Sequence, residues 1–525
     1  MAQLSTVHVV VAFTPRDLHD TVCRPRRIVY ESSACSCSAL ILDWLATCKR
    51  TTTYIDGKAG DNVKQATFSQ GFIWTALVMA LGAGFPIGAH LTFVIGFGFP
   101  ISAGYASFVQ IHGHVQLMGW VGLFVMGVSL YFIPRLAGVP IARSWWLPCL
   151  VWLMGAGLVI RTIGHAVIAY LDGAFAYAVA AWGLVLSGLL EWCAVWGYVA
   201  ILCTLMRRQR DVRPRSALLA VRPYFGTMLC GWVVYASLNL VLLVDMVLAR
   251  AVVLHPAWNL WAQQSFLGLV LLPVAFAFSL RLLPLYLRLP VVDWAPQVVA
   301  YTYLTVLLVH LLPIMPPLFS KAPRFLAGMS HVGAILKAAV VCWFVWQLHL
   351  LSRRPLMTGS RALPPGAAPQ TTWPGFTEYG AFGRFARLVY AAYVWLLLAA
   401  LCEAAAALAS LTGSAPFISG NAVLHMYLMG FISQLIFGMA VRLLPGFMHK
   451  RRVAYPGLVD MTFWLGNLSA IFRVALFLLP AWLLSLLPGL HVGGRIAFAL
   501  SGLLGLGAIL ALAVNLWMTS HMEES

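Results

Sequence analysis

The sequence predicts an all-α integral membrane protein of about twelve transmembrane helices, arranged as three pseudosymmetric four-helix repeats. Composition is the first reason. Of 525 residues, 61% are hydrophobic and 10% charged, with a mean hydropathy of +0.86. A soluble domain carries roughly 25% charged residues. The second reason is length. The apolar runs are about twenty residues long, as helices crossing a bilayer require, and the short alternating strands of a barrel are not seen. The third reason is repetition, which appears in the second helix of each set of four.

Windows of about twenty apolar residues place the first four helices near 72–94, 107–133, 145–169 and 174–206. The next four fall near 223–248, 257–283, 295–315 and 324–350, and the last four near 384–411, 420–444, 459–480 and 492–518. Two polar breaks divide the sets: the arginine-rich 207–222, and 351–383, which is rich in Pro, Gly, Ser and Thr. The repeats are therefore expected over 70–207, 223–352 and 384–519. Residues 1–68 lack this apolar length and a signal-peptide pattern, and are expected to form a poorly structured extension.

The net charge of +18 reflects short basic clusters between apolar runs, such as Arg207, Arg208, Arg210, Arg213 and Arg215. That is the positive-inside bias of a membrane protein rather than a nucleic-acid footprint, and no nucleic-acid partner is expected. Basic residues crowd the segment before the first helix and every even-to-odd loop. The N-terminus and those loops are expected on the cytoplasmic side of a plasma membrane. The ten cysteines form neither CxxC pairs nor a CxxCH motif.

The second helices overlay closely. Helix 2 reads HVQLMGWVGLFVMGVSLYFIPRL from His114, and helix 10 reads HMYLMGFISQLIFGMAVRLLPGF from His425. Proline follows twenty residues after each histidine (134 − 114 and 445 − 425). Helix 6 reads QSFLGLVLLPVAFAFSLRLLPLY, with Pro284 twenty residues after Gln264, and RLLP recurs from Arg281 and Arg442. Three such matches indicate tandem units of parallel orientation.

Polar residues gather at one depth. His112, His114 and His425 lie roughly 8–11 Å below the outer boundary at 1.5 Å per residue, and His331 lies at a similar level. Arg161 follows Pro134 by 27 residues, His310 follows Pro284 by 26 and Arg473 follows Pro445 by 28. Glu191, Asp245 and Glu403 are the acidic candidates for a functional role within the spans. Ionisable groups in a bilayer are costly and mark function by default. Neutral imidazole is a usual ligand of haem iron and copper. The expectation is a haem between His114 and His425, with Arg161 and Arg473 holding its propionates. His112 points about 200° away from His114 around the helix. It faces a second centre or a propionate, and His310 and His331 are further candidate metal ligands.

The stretch HGHVQLMGWVGLFVMGVSLYFIP, His112 to Pro134, resembles the second helix of heme–copper oxidase and nitric oxide reductase catalytic subunits. Across the membrane portion the chain is more similar to the NnrS family, with its histidine-bearing second helix and RxxP segments like RLLPLY and RLLPGF. That resemblance implies a haem protein, with copper as a further cofactor, in the bacterial inner membrane and serving the response to nitric oxide. It also implies an electron donor and nitric oxide as a small ligand, and leaves three roles open: turning nitric oxide over as an oxidoreductase, sensing it, or protecting iron centres. Departures are visible. Helix 6 offers His255 and Gln264, helix 7 only His310 and helix 10 only His425, so a three-histidine copper site is not recognisable. Gln116 stands where the NnrS pattern has Glu. Two alternatives remain: a secondary transporter with a polar intramembrane site, and a degenerate oxidase-like subunit with a structural role.

Overall fold

The computed structural model describes residues 60–523 apart from 143, 213–216, 288, 291, 317–323, 352–378, 416–417 and 479–485. Residues 1–59, most of the expected extension, lie outside the described part. Twelve helices carry the fold among the described residues. The first, α1, begins at Gly60–Met79, passes through a π-helical turn at Ala80–Gly84 and continues as Phe85–Phe97. Then follow α2 (Tyr105–Ala137), α3 (Ser144–Tyr170), α4 (Ala174–Val212), α5 (Arg222–Leu248) and α6 (Pro256–Tyr286). The remainder are α7 (Pro296–Leu311), α8 (Arg324–Gln347), α9 (Phe385–Leu411), α10 (Gly420–Phe447), α11 (Pro456–Leu478) and α12 (Pro488–His521).

Eleven of these are long and apolar enough to cross a bilayer. The exception is α7, with 16 residues. At 1.5 Å per residue it spans only about 24 Å, short of the roughly 30 Å hydrocarbon core. The sequence expectation ran to 315. The helix stops at Leu311: Leu312 keeps helical angles and still bonds to the Leu308 carbonyl, but Pro313 has no N–H with which to continue the ladder. In the other direction, α4 carries 39 residues and keeps Arg207, Arg208 and Arg210 helical. The arginine-rich break therefore begins inside a helix.

Burial separates two classes of helix. In α2, α6 and α10, 83–89% of the apolar window is buried inside the protein, against 28–50% in the other spans. These three helices form the interior, and the lipid-facing helices pack around them in strings. The strings run α3–α4–α5–α6, α7–α8–α9–α10 and α11–α12–α1–α2. They are offset by two helices from the sequence repeats, so each repeat is shared between two strings.

Lipid supplies no hydrophobic drive between helices, so close contact falls to small residues and polar bonds. The crossing of α1 and α12 shows this. A Cβ on Gly502 would lie 2.4 Å from the Ala89 Cα, and one on Gly96 would lie 2.5 Å from the Ala499 Cβ. Thr92 bonds across the same seam to the Ala499 carbonyl at 3.3 Å.

The inner helices share one irregularity. Each contains a π-helical segment: Val115–Gly122 in α2, Leu267–Leu271 in α6 and Met426–Ser433 in α10. Counted back from Pro134, Pro284 and Pro445, they begin 19, 17 and 19 residues earlier and end 12, 13 and 12 residues earlier. Such segments are rare and concentrate at functional sites. Their shared register is a second, backbone-level sign of the correspondence between helices 2, 6 and 10. Below them, the three helices enclose a cavity of about 70 Å³ lined by residues such as Val125, Phe278 and Met439.

Candidate functional site

Three polar clusters occupy the end of the bundle nearest the histidines, one associated with each string. The first contains His112, His425 and Arg473. His112 turns from α2 toward α1, where its Nδ1 lies 2.9 Å from the carbonyl of Gly84, the last residue of the π-helical turn. Its ring packs against Gly88, where a Cβ would lie 2.5 Å from Cε1. From α10, the His425 Nδ1 lies 2.8 Å from the Asn421 carbonyl, one turn back.

A carbonyl only accepts, so both Nδ1 atoms carry the proton and both Nε2 atoms present a lone pair. Arg473 of α11 stands 3.2 Å from the His425 Nε2, with its guanidinium 4.6 Å from the Phe498 ring centroid. The two histidines lie within electrostatic reach of each other, and both face Arg473. Neither ring is fully buried, although α1, α2, α10 and α11 surround them.

Two residues further along α2, His114 faces a different string. Its Nε2 lies 2.8 Å from Glu191 Oε2 on α4, and its Nδ1 lies 3.4 Å from the Tyr235 hydroxyl on α5. Arg161 and His165 complete this cluster from α3. Arg161 is within electrostatic reach of Glu191 and Tyr235, and His165 of Arg161 and His114. The His165 Nε2 lies 3.1 Å from the Val252 carbonyl in the α5–α6 loop.

The third cluster lies in the α7–α10 string and is a closed network. Lys337 donates to Glu403 Oε1 at 2.7 Å, and the Tyr427 hydroxyl donates to Oε2 at 2.7 Å. The His310 Nε2 is 3.6 Å from the same carboxylate, and its Nδ1 is 3.0 Å from the Ser330 carbonyl. His331 lies within electrostatic reach of His310.

The expected pairing of His114 with His425 is not what the side chains make. His114 is engaged by Glu191 and Tyr235, and the imidazole grouped with His425 is that of His112. The two arginines likewise separate, Arg161 to the His114 cluster and Arg473 to the His425 cluster. His114 and His425, aligned by the sequence overlay, thus enter different clusters, and so do Arg161, His310 and Arg473.

Sequence reading passed over Lys337, His165, Tyr235 and Tyr427. Lys337 carried a signal, as a lone lysine in an apolar span 27 residues after His310, against the 30 that separate Arg161 from Glu191.

A haem fits the first cluster by its donor set: two imidazoles whose Nδ1 atoms are held by carbonyls, which leaves Nε2 as the lone-pair atom of each, and a guanidinium, now against the His425 Nε2, that could turn to a carboxylate. Copper does not fit in the same way. Among the described residues no three His, Cys, Asp or Glu side chains converge to hold a metal. In the α7–α10 string a lysine ammonium holds the one carboxylate that faces His310.

No family model matches the chain, and no curated protein matches it. Among solved structures, it is similar to a heme-copper terminal oxidase determined by cryo-EM as a dimer, with a TM-score of 0.61. The identity is 12%, and the match covers 90% of this chain and 85% of that one. The likeness establishes the fold: the chain is an all-α membrane protein with a heme-copper oxidase-like arrangement of helices.

Proposed function

We propose that this chain is a haem-binding membrane protein, in which His112 and His425 would hold the iron and Arg473 would pair with a haem carboxylate. The observation that carries the reading is the matched state of the two imidazoles. Each donates Nδ1–H to a backbone carbonyl, which fixes the tautomer and makes Nε2 the ligating atom. Haem held in this way supplies one-electron chemistry. The chain's own part is to hold the imidazoles at fixed tautomer and to present a guanidinium to an anionic edge.

The Lys337–Glu403 network and the absence of a three-histidine set among the described residues support a haem protein without a copper partner. The resemblance of the His112–Pro134 stretch and the RLLP segments to the NnrS family supports a place in the nitric oxide response. In that reading the protein sits in a bacterial inner membrane with its N-terminus cytoplasmic, and meets an electron donor and nitric oxide.

The test is the optical and EPR spectrum of the purified full-length protein. One haem per chain with a low-spin, bis-histidine signature is expected. A protein that purifies intact from haem-replete cells without a Soret band overturns the cofactor. The physiological part is tested separately, by growth of a deletion strain under a nitric oxide donor. Complementation by wild type but not by His112→Ala is expected, and unimpaired growth of the deletion overturns the nitric oxide role alone.

A further inference from the structure

The cluster around Arg161 holds more unsatisfied polar atoms than a dry interior tolerates. Arg161 is 1% exposed, Glu191 1% and His165 0%. Yet Arg161 Nε and Nη1, Glu191 Oε1 and His165 Nδ1 are all buried without a hydrogen-bond partner. Buried polar groups are paired almost without exception, so four such atoms in one cluster point to an occupant.

Their chemistry says which kind. The guanidinium offers only donors. Glu191 Oε1 offers only acceptor sites, since its carboxylate is already tied to His114 through Oε2. The His165 Nε2 must donate to the Val252 carbonyl, so its Nδ1 is also an acceptor. A halide or an oxyanion would answer Arg161 but leave both acceptors empty and repel Glu191. A metal cation would be repelled by Arg161. An occupant that both donates and accepts satisfies all four atoms, and water is the small molecule that does so.

We propose that the space bounded by α2, α3, α4 and α5 binds a cluster of water molecules bridging Arg161, Glu191 and His165. The cluster extends from beneath the α5–α6 loop to the carboxylate that holds His114. That loop is latched to the bundle by the Ser107 hydroxyl and His165 on the Val252 carbonyl, by Gln110 on Leu254 and by Tyr177 on the Ala251 carbonyl. The waters thus give a polar path from the loop into the interior, on the side of α2 opposite His112. The inference does not depend on the haem.

Radiolytic hydroxyl-radical labelling of the intact protein in nanodiscs tests it, because bound water is activated where it sits and labels adjacent side chains. Tyr235 and His165 are expected to be labelled at least about tenfold faster than buried tyrosines with no bound water nearby. The controls are Tyr198, Tyr224 and Tyr393, whose hydroxyls are engaged by Ser129, the Pro296 carbonyl and Ser279. Tyr235 and His165 labelled no faster than the controls would overturn the proposal. The double variant Arg161→Met/Glu191→Gln is expected to bring Tyr235 and His165 down to the control rate. Undiminished labelling in that folded variant also overturns it. Should the variant not fold, the wild-type comparison decides alone.

Discussion

His112 and His114 are two residues apart on one helix and lead to opposite outcomes. His112 lies against glycines of α1 with Nδ1 bound to a backbone carbonyl, which leaves Nε2 available to a ligand. His114 has a side-chain partner at each nitrogen, the Glu191 carboxylate and the Tyr235 hydroxyl. His425 stands between the two, with Nδ1 on a backbone carbonyl and Nε2 facing the Arg473 guanidinium, a contact that the proposed haem would displace. Two histidines of the same type and depth on one helix therefore differ in what holds them: a backbone carbonyl for His112, a carboxylate and a hydroxyl for His114.

The sharpest way to break that contrast is to exchange the losses. His112→Ala and His425→Ala should each remove the haem Soret band from purified protein, whereas His114→Ala should retain it. Loss of haem from His114→Ala with retention in His112→Ala would reverse the assignment. A smaller effect is expected from Gly88→Ala, because the new methyl would strike the His112 ring. Displaced ligand support of this kind costs roughly 10–100-fold in affinity, measurable by haem transfer to an apoprotein acceptor. Wild-type retention would show that the ring is not held against α1.

Arg473→Leu should weaken haem retention by about tenfold, the equivalent of one charge-assisted hydrogen bond. Arg473→Lys should restore part of that loss. If Leu and wild type release haem at the same rate, the guanidinium does not meet the cofactor.

The least effect on haem should come from the α7–α10 string. Lys337→Met leaves the partly buried Glu403 carboxylate without its cation, which costs at most the roughly 3–5 kcal/mol of a fully buried unpaired charge. Its thermal unfolding temperature should fall while the haem spectrum stays unchanged. A spectral change in Lys337→Met would place this network beside the cofactor and merge two clusters that the structure keeps apart.

Much of this protein was legible in one dimension. Runs of apolar residues have to become helices in lipid, because the backbone finds no partner there except itself. Helix number, the interior place of helices 2, 6 and 10, and the gathering of His112, His114, His425, Arg161 and Arg473 toward one end follow from run length and spacing. The truncation of α7 was also encoded, in Pro313.

Pairing was not legible. The overlay aligned His114 with His425, but the structure gives them different partners, Glu191 and Tyr235 for one and Arg473 for the other. Which imidazole meets His425 depends on where α1 and α11 lie against α2 and α10, through Gly84, Gly88 and Arg473, far apart in sequence. Spacing along a helix therefore determined depth and direction in this chain. Only the packing of the strings decided which side chains share a space, because helix contacts in a membrane are set by the close fit of small and polar residues from distant segments.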